Sequence, residues 1–320
     1  MTTPMVNVVT VHWRSAKWIG PQLAYLERNL RGPYRVFASL DEIDEPGMRE
    51  GFHLAVEMDG GHGVKLNALA AVVAEQADPG DLLVFLDGDA FPIRPLRPWL
   101  DDVLARHPLC AVRRDENLGD RQPHPSFCAT TVGFWTEIGG DWTGAPWTNA
   151  AGREVVDAGG KLLAALEQRN VQWLPLLRTN TSNPHPLWFG VYAHRIYHHG
   201  AGFQTAKAER VDWAERYRST PESGRALRPT AERPSLGTLR IRAREEGLRL
   251  GTLRPRHLRV AAEAALKTVK LRREHRYFTK VQSSEQLVHL RDLGDRVFTE
   301  LSSDPDFHRR FDATDDAEIA

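Results

Sequence analysis

Cysteine is nearly missing from this chain, with only Cys110 and Cys128 among 320 residues. No disulfide framework can staple it, and neither cysteine has a CxxC partner or a histidine at metal-ligand spacing. Both lie in apolar, strand-like contexts, so they read as reduced core residues of a cytoplasmic protein. An excess of one charge is absent too. Lys plus Arg and Asp plus Glu each number 42, so no global field makes the whole chain a nucleic-acid binder. Long hydrophobic runs are lacking as well: the longest, Ala68 to Ala74, is far below the roughly 18 residues of a membrane span. The first residues do not show the basic-then-apolar order of a signal peptide. The expectation is a protein that neither crosses a membrane nor is secreted by that route. No repeat is long enough to indicate a solenoid.

Hydrophobic residues make up 41% of the chain, enough for one large α/β domain or two ordinary ones, each with its own core. Strands are expected at Val6 to Val11, Arg35 to Leu40, Phe52 to Met58 and Leu82 to Leu86, with helices at Trp18 to Leu30 and His62 to Ala77. In the second helix Leu66, Leu69, Ala70 and Val73 share one face, and Asp78-Pro79-Gly80 stops it. This alternation argues for βαβ units and an α/β fold with a mixed, mostly parallel sheet flanked by helices. The strand Leu82 to Leu86 is apolar at every position, which predicts the middle of the sheet. The residues just after it then sit at a carboxyl edge, where ligands bind in open α/β sheets. Further on, the pattern predicts a helix at Arg97 to Arg106, strands at Leu109 to Arg113 and Phe127 to Trp135, and a loop at Gly139 to Gly152. A helix from about Gly160 to Arg169 leads to the polar segment Arg178 to Asn183 and a strand at Trp188 to Tyr197.

Charge is distributed regionally. Residues 206–280 carry 20 Lys or Arg against 9 Asp or Glu, whereas residues 1–205 carry 18 against 23 and residues 281–320 carry 4 against 10. This sets a boundary near residue 205, between an α/β part (1–205) and a basic, mainly helical C-terminal region (206–320). From Arg256 to Arg276 the apolar set Leu258, Ala262, Ala265, Leu266 and Val269 is ringed by Arg259, Lys267, Lys270, Arg272 and Arg273. Such a helix suits a solvated face packed on its own domain, or an anionic membrane surface.

The sharpest chemical feature is Phe85-Leu86-Asp87-Gly88-Asp89. Two carboxylates stand one residue apart at the end of a buried strand, and Gly88 lets the backbone bend so that both can face one hard cation. With room for phosphate oxygens, such a pair suits Mg²⁺ or Mn²⁺ carrying a diphosphate. An Asx-type turn at a strand end is the plain structural alternative.

A buried strand followed by Asp-x-Asp in a βαβ domain resembles the GT-A nucleotide-sugar glycosyltransferases, family 2-like and of bacterial type. The resemblance extends over roughly residues 5 to 203. It also involves Val9-Thr-Val-His-Trp13, His62-Gly-Val-Lys-Leu-Asn67 and Tyr197-His-His-Gly-Ala-Gly202. It implies a GT-A, Rossmann-like fold and a sugar moved from a nucleotide-diphosphate donor, UDP-sugar being favoured, to a carbohydrate or lipid-linked acceptor. It places the nucleotide against Thr10 to His12 and against Asp41, and the diphosphate near Lys65 and Asp87. The metal falls to Asp87, Asp89 and a downstream histidine, His198 or His199; strand neighbours face opposite ways, so at most one of the two should reach it, and His198 is favoured. For an inverting reaction the resemblance puts an acidic base at Asp157, with Glu154 and Asp141 competing and helix capping as the alternative role. Glycines at 60, 61 and 63 would let a ligand approach the backbone. Trp135, Trp142, Trp147 and Trp188 are candidate sugar platforms, although each taken singly reads as packing.

The functional expectation is therefore a cytoplasmic, metal-dependent glycosyltransferase acting in cell-surface glycan synthesis. Contact with the inner membrane face through the basic helices belongs to it; nucleic-acid binding does not. Two other readings stand beside it. A haloacid-dehalogenase-like phosphatase also has Asp-x-Asp after a strand, but there the motif continues Gly-Thr on the first strand, whereas here it continues Ala90-Phe91. A non-catalytic protein binding anionic surfaces could use the α/β part as a degenerate scaffold.

Overall fold

In a computed structural model, residues 3–115, 120–148, 154–180, 190–200, 295–299 and 301–303 are described. The expected strand at Trp188 begins outside them, as do Trp188 itself and the basic block 206–280.

The chain alternates as the hydrophobic pattern predicts. It runs β1 (Val6–Trp13), α1 (Ile19–Leu30), β2 (Tyr34–Asp41), β3 (Leu54–Val56), α2 (His62–Gln76), β4 (Leu82–Asp87) and β5 (Ala90–Pro92). It continues α3 (Arg97–Leu104), β6 (Leu109–Val112), β7 (His124–Thr131), α4 (Val132–Ile138), β8 (Ala145–Thr148), β9 (Glu154–Asp157), α5 (Gly160–Gln168), β10 (Leu174–Leu176), β11 (Gly190–Tyr192) and β12 (Ile196–His198). Seven strands form the central sheet in the order β10-β6-β7-β4-β1-β2-β3. Only β7 runs antiparallel to its neighbours β4 and β6. The sheet is thus mixed and mostly parallel, with β4 in its middle.

Period-two alternation divides β1 between two cores. Val6 and Val8 pack with Leu26 and Leu30 of α1 and Leu100 and Val103 of α3. Val9 and Val11 pack on the opposite face with Leu66, Leu69, Ala70 and Val73 of α2, together with α4 and α5 residues such as Ile138 and Leu166. Helices therefore cover both faces, which buries a strand such as Leu82–Asp87 on each side. Cys110 and Cys128 are free thiols inside these cores, and burial pushes Cys110 up to about 12. Among the described residues no helix is long and apolar enough to cross a membrane.

Three sequence expectations fail locally, for identifiable reasons. The strand expected to run to Trp135 ends at Thr131, whose hydroxyl accepts the Phe134 N–H at 3.1 Å and starts α4; Gly139, at φ 64°, ends that helix. The loop predicted over Gly139 to Gly152 contains β8, which pairs antiparallel with β9 just beyond it. The strand expected over Trp188 to Tyr197 is instead the hairpin β11–β12, whose turn puts Ala193 and His194 at φ 49° and 53°. Without glycine or asparagine there, no turn signal was visible.

A second, three-stranded sheet positions the site. β12 pairs antiparallel with β5, placing His198 opposite Ala90, the residue after Asp89. Residues 295–299 and 301–303 are helical and lay Val297 and Leu301 on a cluster with Trp18, Phe91 and Tyr197.

Gly63 is a packing requirement: a Cβ there would lie 2.6 Å from the Trp142 carbonyl oxygen. Gly63→Ala is expected to destabilise the fold by about 1–3 kcal/mol in urea unfolding through overpacking. Gly80→Ala, whose Cβ would meet nothing within 4 Å, should stay within about 0.5 kcal/mol of wild type.

Candidate functional site

The carboxyl ends of β1, β2 and β4 open into a cleft of about 790 Å³ that reaches from Asp41 and Met58 past Asp87 to His124 and Asp157. That is within the size range of small-molecule and cofactor sites. Its floor is the turn Asp87-Gly88-Asp89. A Cβ at Gly88 would lie 2.6 Å from the Val11 carbonyl oxygen and 2.8 Å from His12 Nδ1, so only glycine fits between β1 and the carboxylates.

His198 joins this turn through the β5–β12 pairing. Its Nε2 stands 3.4 Å from Asp87 Oδ2 and 3.4 Å from Asp89 Oδ1. The ligand atoms of Asp87, Asp89 and His198 all lie within 4.8 Å of one another, close enough to share one ion. Asp87 Oδ1 is buried, has no hydrogen-bond partner and faces His62 Nε2 at 3.3 Å. An orphaned carboxylate oxygen beside a second carboxylate and an imidazole is a donor set that fits a hard or borderline divalent cation. His199 points elsewhere: its ring lies against Trp18 at 4.5 Å and its Nδ1 is 2.9 Å from the Tyr197 hydroxyl.

The electrostatics come from crowding charge in a buried place. Burial pushes Asp87 up, against the pull of His62 and His198. Burial also works against charge on His198, but the Asp89 and Asp87 carboxylates outweigh it and raise its pKa. Arg114, just beyond β6, adds positive charge from the opposite wall. Its Nη2 is 3.3 Å from Asp120 Oδ2 and 3.7 Å from Asp157 Oδ2, while its Nε is buried without a partner. Sequence reasoning missed Arg114 and His62; a basic side chain following a strand at the carboxyl edge was the signal for Arg114.

The remaining sequence candidates separate. Asp157 lines the cleft with half its side chain exposed, Oδ1 accepting the Ala158 N–H at 2.8 Å. Asp141 is tied up by Asn67, Thr143 and Lys161; burial favours its neutral form, but these hydrogen bonds outweigh it and hold the carboxyl down at about 2. Glu154 lies on β9, outside the lining of the cleft. Asp41 and Lys65 do line it, but they are joined to each other at 2.6 Å. The Asp41 carboxylate also accepts from the Ser39 hydroxyl and the Met58 N–H. These two candidates are thus one buried ion pair rather than two free ligand contacts. Thr10 is fully buried within β1 and does not reach the cleft. Trp135, Trp142 and Trp147 are core residues, and Gly63 makes room for the Trp142 backbone rather than for a ligand.

His12 does reach the cleft, and its hydrogen bonds define its polarity. Gln22 Nε2 donates to the Asp87 and Ala90 carbonyls, both at 2.8 Å, so its Oε1 must accept from His12 Nε2 at 3.1 Å. His12 Nδ1 is then a bare lone pair above Gly88. Burial lowers this histidine to about 4, with Gln22 and Asp89 pulling the other way.

No protein-family model matches the chain, and comparison with curated proteins finds no match. Similar solved structures include a fragment of S. aureus TarS in complex with UDP-GlcNAc, 13% identical, covering 43% of this chain and 48% of that one at a TM-score of 0.33. Another is a galactosyltransferase, LgtC, in complex with donor and acceptor sugar analogues: 14% identity, 41% and 59% coverage, TM-score 0.30. A third is WbbM, a bifunctional glycosyltransferase in its apo form, at 12% identity, 43% and 33% coverage and TM-score 0.32. The chain spans between a third and three fifths of these three. Likeness at this level assigns no residue its role.

Two outcomes are expected. Lys65→Met strands a buried carboxylate and should cost about 3 kcal/mol or more in urea unfolding, and Asp41→Asn added to it should recover part of the loss. His12 is depressed to about 4 and His199 to about 3, in both cases chiefly by burial. The unfolded chain therefore takes up protons below about pH 6.5 that the folded chain refuses, and stability falls as pH drops from there towards 4. Asp87 and His198, both raised, act in the opposite direction, so the measurement compares wild type with His12→Asn. The substitution should flatten the fall of the urea midpoint between pH 6.5 and pH 5, and an unchanged slope would contradict this assignment.

Proposed function

We propose that this protein is a metal-dependent glycosyltransferase that moves a sugar from a nucleotide-diphosphate donor, a UDP-sugar, to a hydroxyl of a carbohydrate or lipid-linked acceptor. The observation that carries the reading is the group Asp87, Asp89 and His198, whose ligand atoms fall within one ion's reach on the floor of a large cleft. These three residues would hold Mn²⁺ or Mg²⁺, which when bound supplies positive charge opposite a leaving diphosphate.

The chain's own residues supply the rest. His12 offers a lone pair beside the Asp-x-Asp turn, suited to a ligand hydroxyl. The Asp41–Lys65 pair shapes the wall below the ends of β2 and α2, where its opposite charges cancel and leave room for a neutral nucleoside. Asp157 is the carboxylate favoured to take the proton from an acceptor hydroxyl: it is half exposed, it faces the cleft, and Arg114 stands near its second oxygen. The basic surplus of residues 206–280 supports an acceptor met at an anionic surface, with the enzyme in the cytoplasm.

The test is calorimetric binding of UDP with and without Mn²⁺, to wild type and to Asp89→Ala. Wild type should bind at least about tenfold more tightly with the metal, and the substitution should remove that difference. Equal affinity in all four titrations would sink the metal-diphosphate reading. Release of UDP from a UDP-sugar in the presence of an acceptor should fall by about a hundredfold or more in Asp157→Asn, with UDP affinity unchanged.

A further inference from the structure

His124 opens β7, the strand next to β4 on the side away from β1. It is only 8% exposed, lines the cleft, and its ring lies 5.9 Å from that of His198. Its Nδ1 receives the backbone N–H of Ser126 at 3.1 Å and lies 2.9 Å from the Ser126 hydroxyl. A backbone N–H can only donate, so Nδ1 must be the bare nitrogen. A histidine with a bare Nδ1 is neutral and carries its proton on Nε2. The main chain itself therefore fixes the tautomer.

This tautomer has two effects. With Nδ1 occupied and Nε2 protonated, His124 has no lone pair to give a metal, so it stands beside the Asp87, Asp89 and His198 group without joining it. And Nε2–H, which has no hydrogen-bond partner among the described residues, is left as a donor on a residue that lines the cleft, open to a ligand oxygen. The wall around it holds the Asp87, Asp89 and Asp157 carboxylates together with Arg114, His62 and His198. In this mixed field a neutral hydroxyl oxygen meets the donor without adding charge of either sign.

We propose that His124 is a specificity-determining residue whose Nε2–H donates to a hydroxyl of the transferred sugar. The assignment rests on the glycosyltransferase reading and adds to it. β7 lies across β4 from the strands that carry Trp13 and Asp41, so this donor faces the part of the ligand beyond the nucleotide.

The experiment compares wild type, His124→Phe and His124→Gln. Phenylalanine keeps the ring and removes the donor; glutamine returns an amide N–H near the position of Nε2. Affinities are measured with Mn²⁺ for UDP and for UDP-glucose, UDP-galactose and UDP-GlcNAc. His124→Phe should keep UDP affinity within about twofold and lose roughly tenfold for the sugar nucleotide that wild type binds best, with His124→Gln recovering most of it. A long-range ¹H–¹⁵N spectrum of wild type should show the His124 proton on Nε2. A proton on Nδ1, unchanged sugar-nucleotide affinity in His124→Phe, or an equal loss for UDP would each overturn the proposal while leaving the transferase reading intact. Wild type that binds neither UDP nor any sugar nucleotide overturns both.

Discussion

Two carboxylates one residue apart, held at the end of a strand buried on both faces, are the constraint around which this cleft is arranged. Asp87 and Asp89 cannot both remain charged there without nearby positive charge, because burial penalises the ionised form and each repels the other. The protein meets this with groups from three separate places: His198 comes from β12, His62 from the start of α2, and Arg114 from the chain after β6. Gly88 makes the arrangement possible, since any side chain at that point would collide with β1.

Away from this charged centre other sequence candidates are neutralised by partners: Lys65 is bound to Asp41 in the cleft, and Asp141 is bound to Lys161 outside its lining. The two neutral histidines are fixed with opposite polarity by partners outside the cleft. Gln22, anchored on two carbonyls, makes His12 an acceptor. The Ser126 N–H makes His124 a donor. Such fixed dipoles need no reorganisation when a ligand arrives.

Much of the fold was legible because the hydrophobic period is a local property. The faces of α1 and α2, the central position of β4 and the burial of both cysteines can be read from residue spacing alone. Thr131 and Gly139 bounded α4 in the sequence as well, as a cap and a left-handed stop, but the β-branched and aromatic run between them read as strand. The hairpin of β11 and β12 was not legible, because its turn uses Ala193 and His194, residues that seldom adopt positive φ. The tryptophans needed the structure for a related reason: composition shows that indoles are present and not whether they face a ligand or a core. Trp135 and Trp142 take the packing role that each reads as singly, against Phe85.

By itself the sequence determined an α/β sheet with a pair of carboxylates at the edge of its middle strand, since strand period, apolar runs and the Asp-Gly-Asp spacing all act over a few residues. Tertiary structure alone decided which histidine faces that pair, that Asp41 and Lys65 neutralise each other, that Thr10 is sealed away, and that Arg114 and His124 reach the cleft. Those outcomes depend on strand pairing and side-chain contact between residues tens to more than a hundred positions apart, and no local spacing encodes such distances.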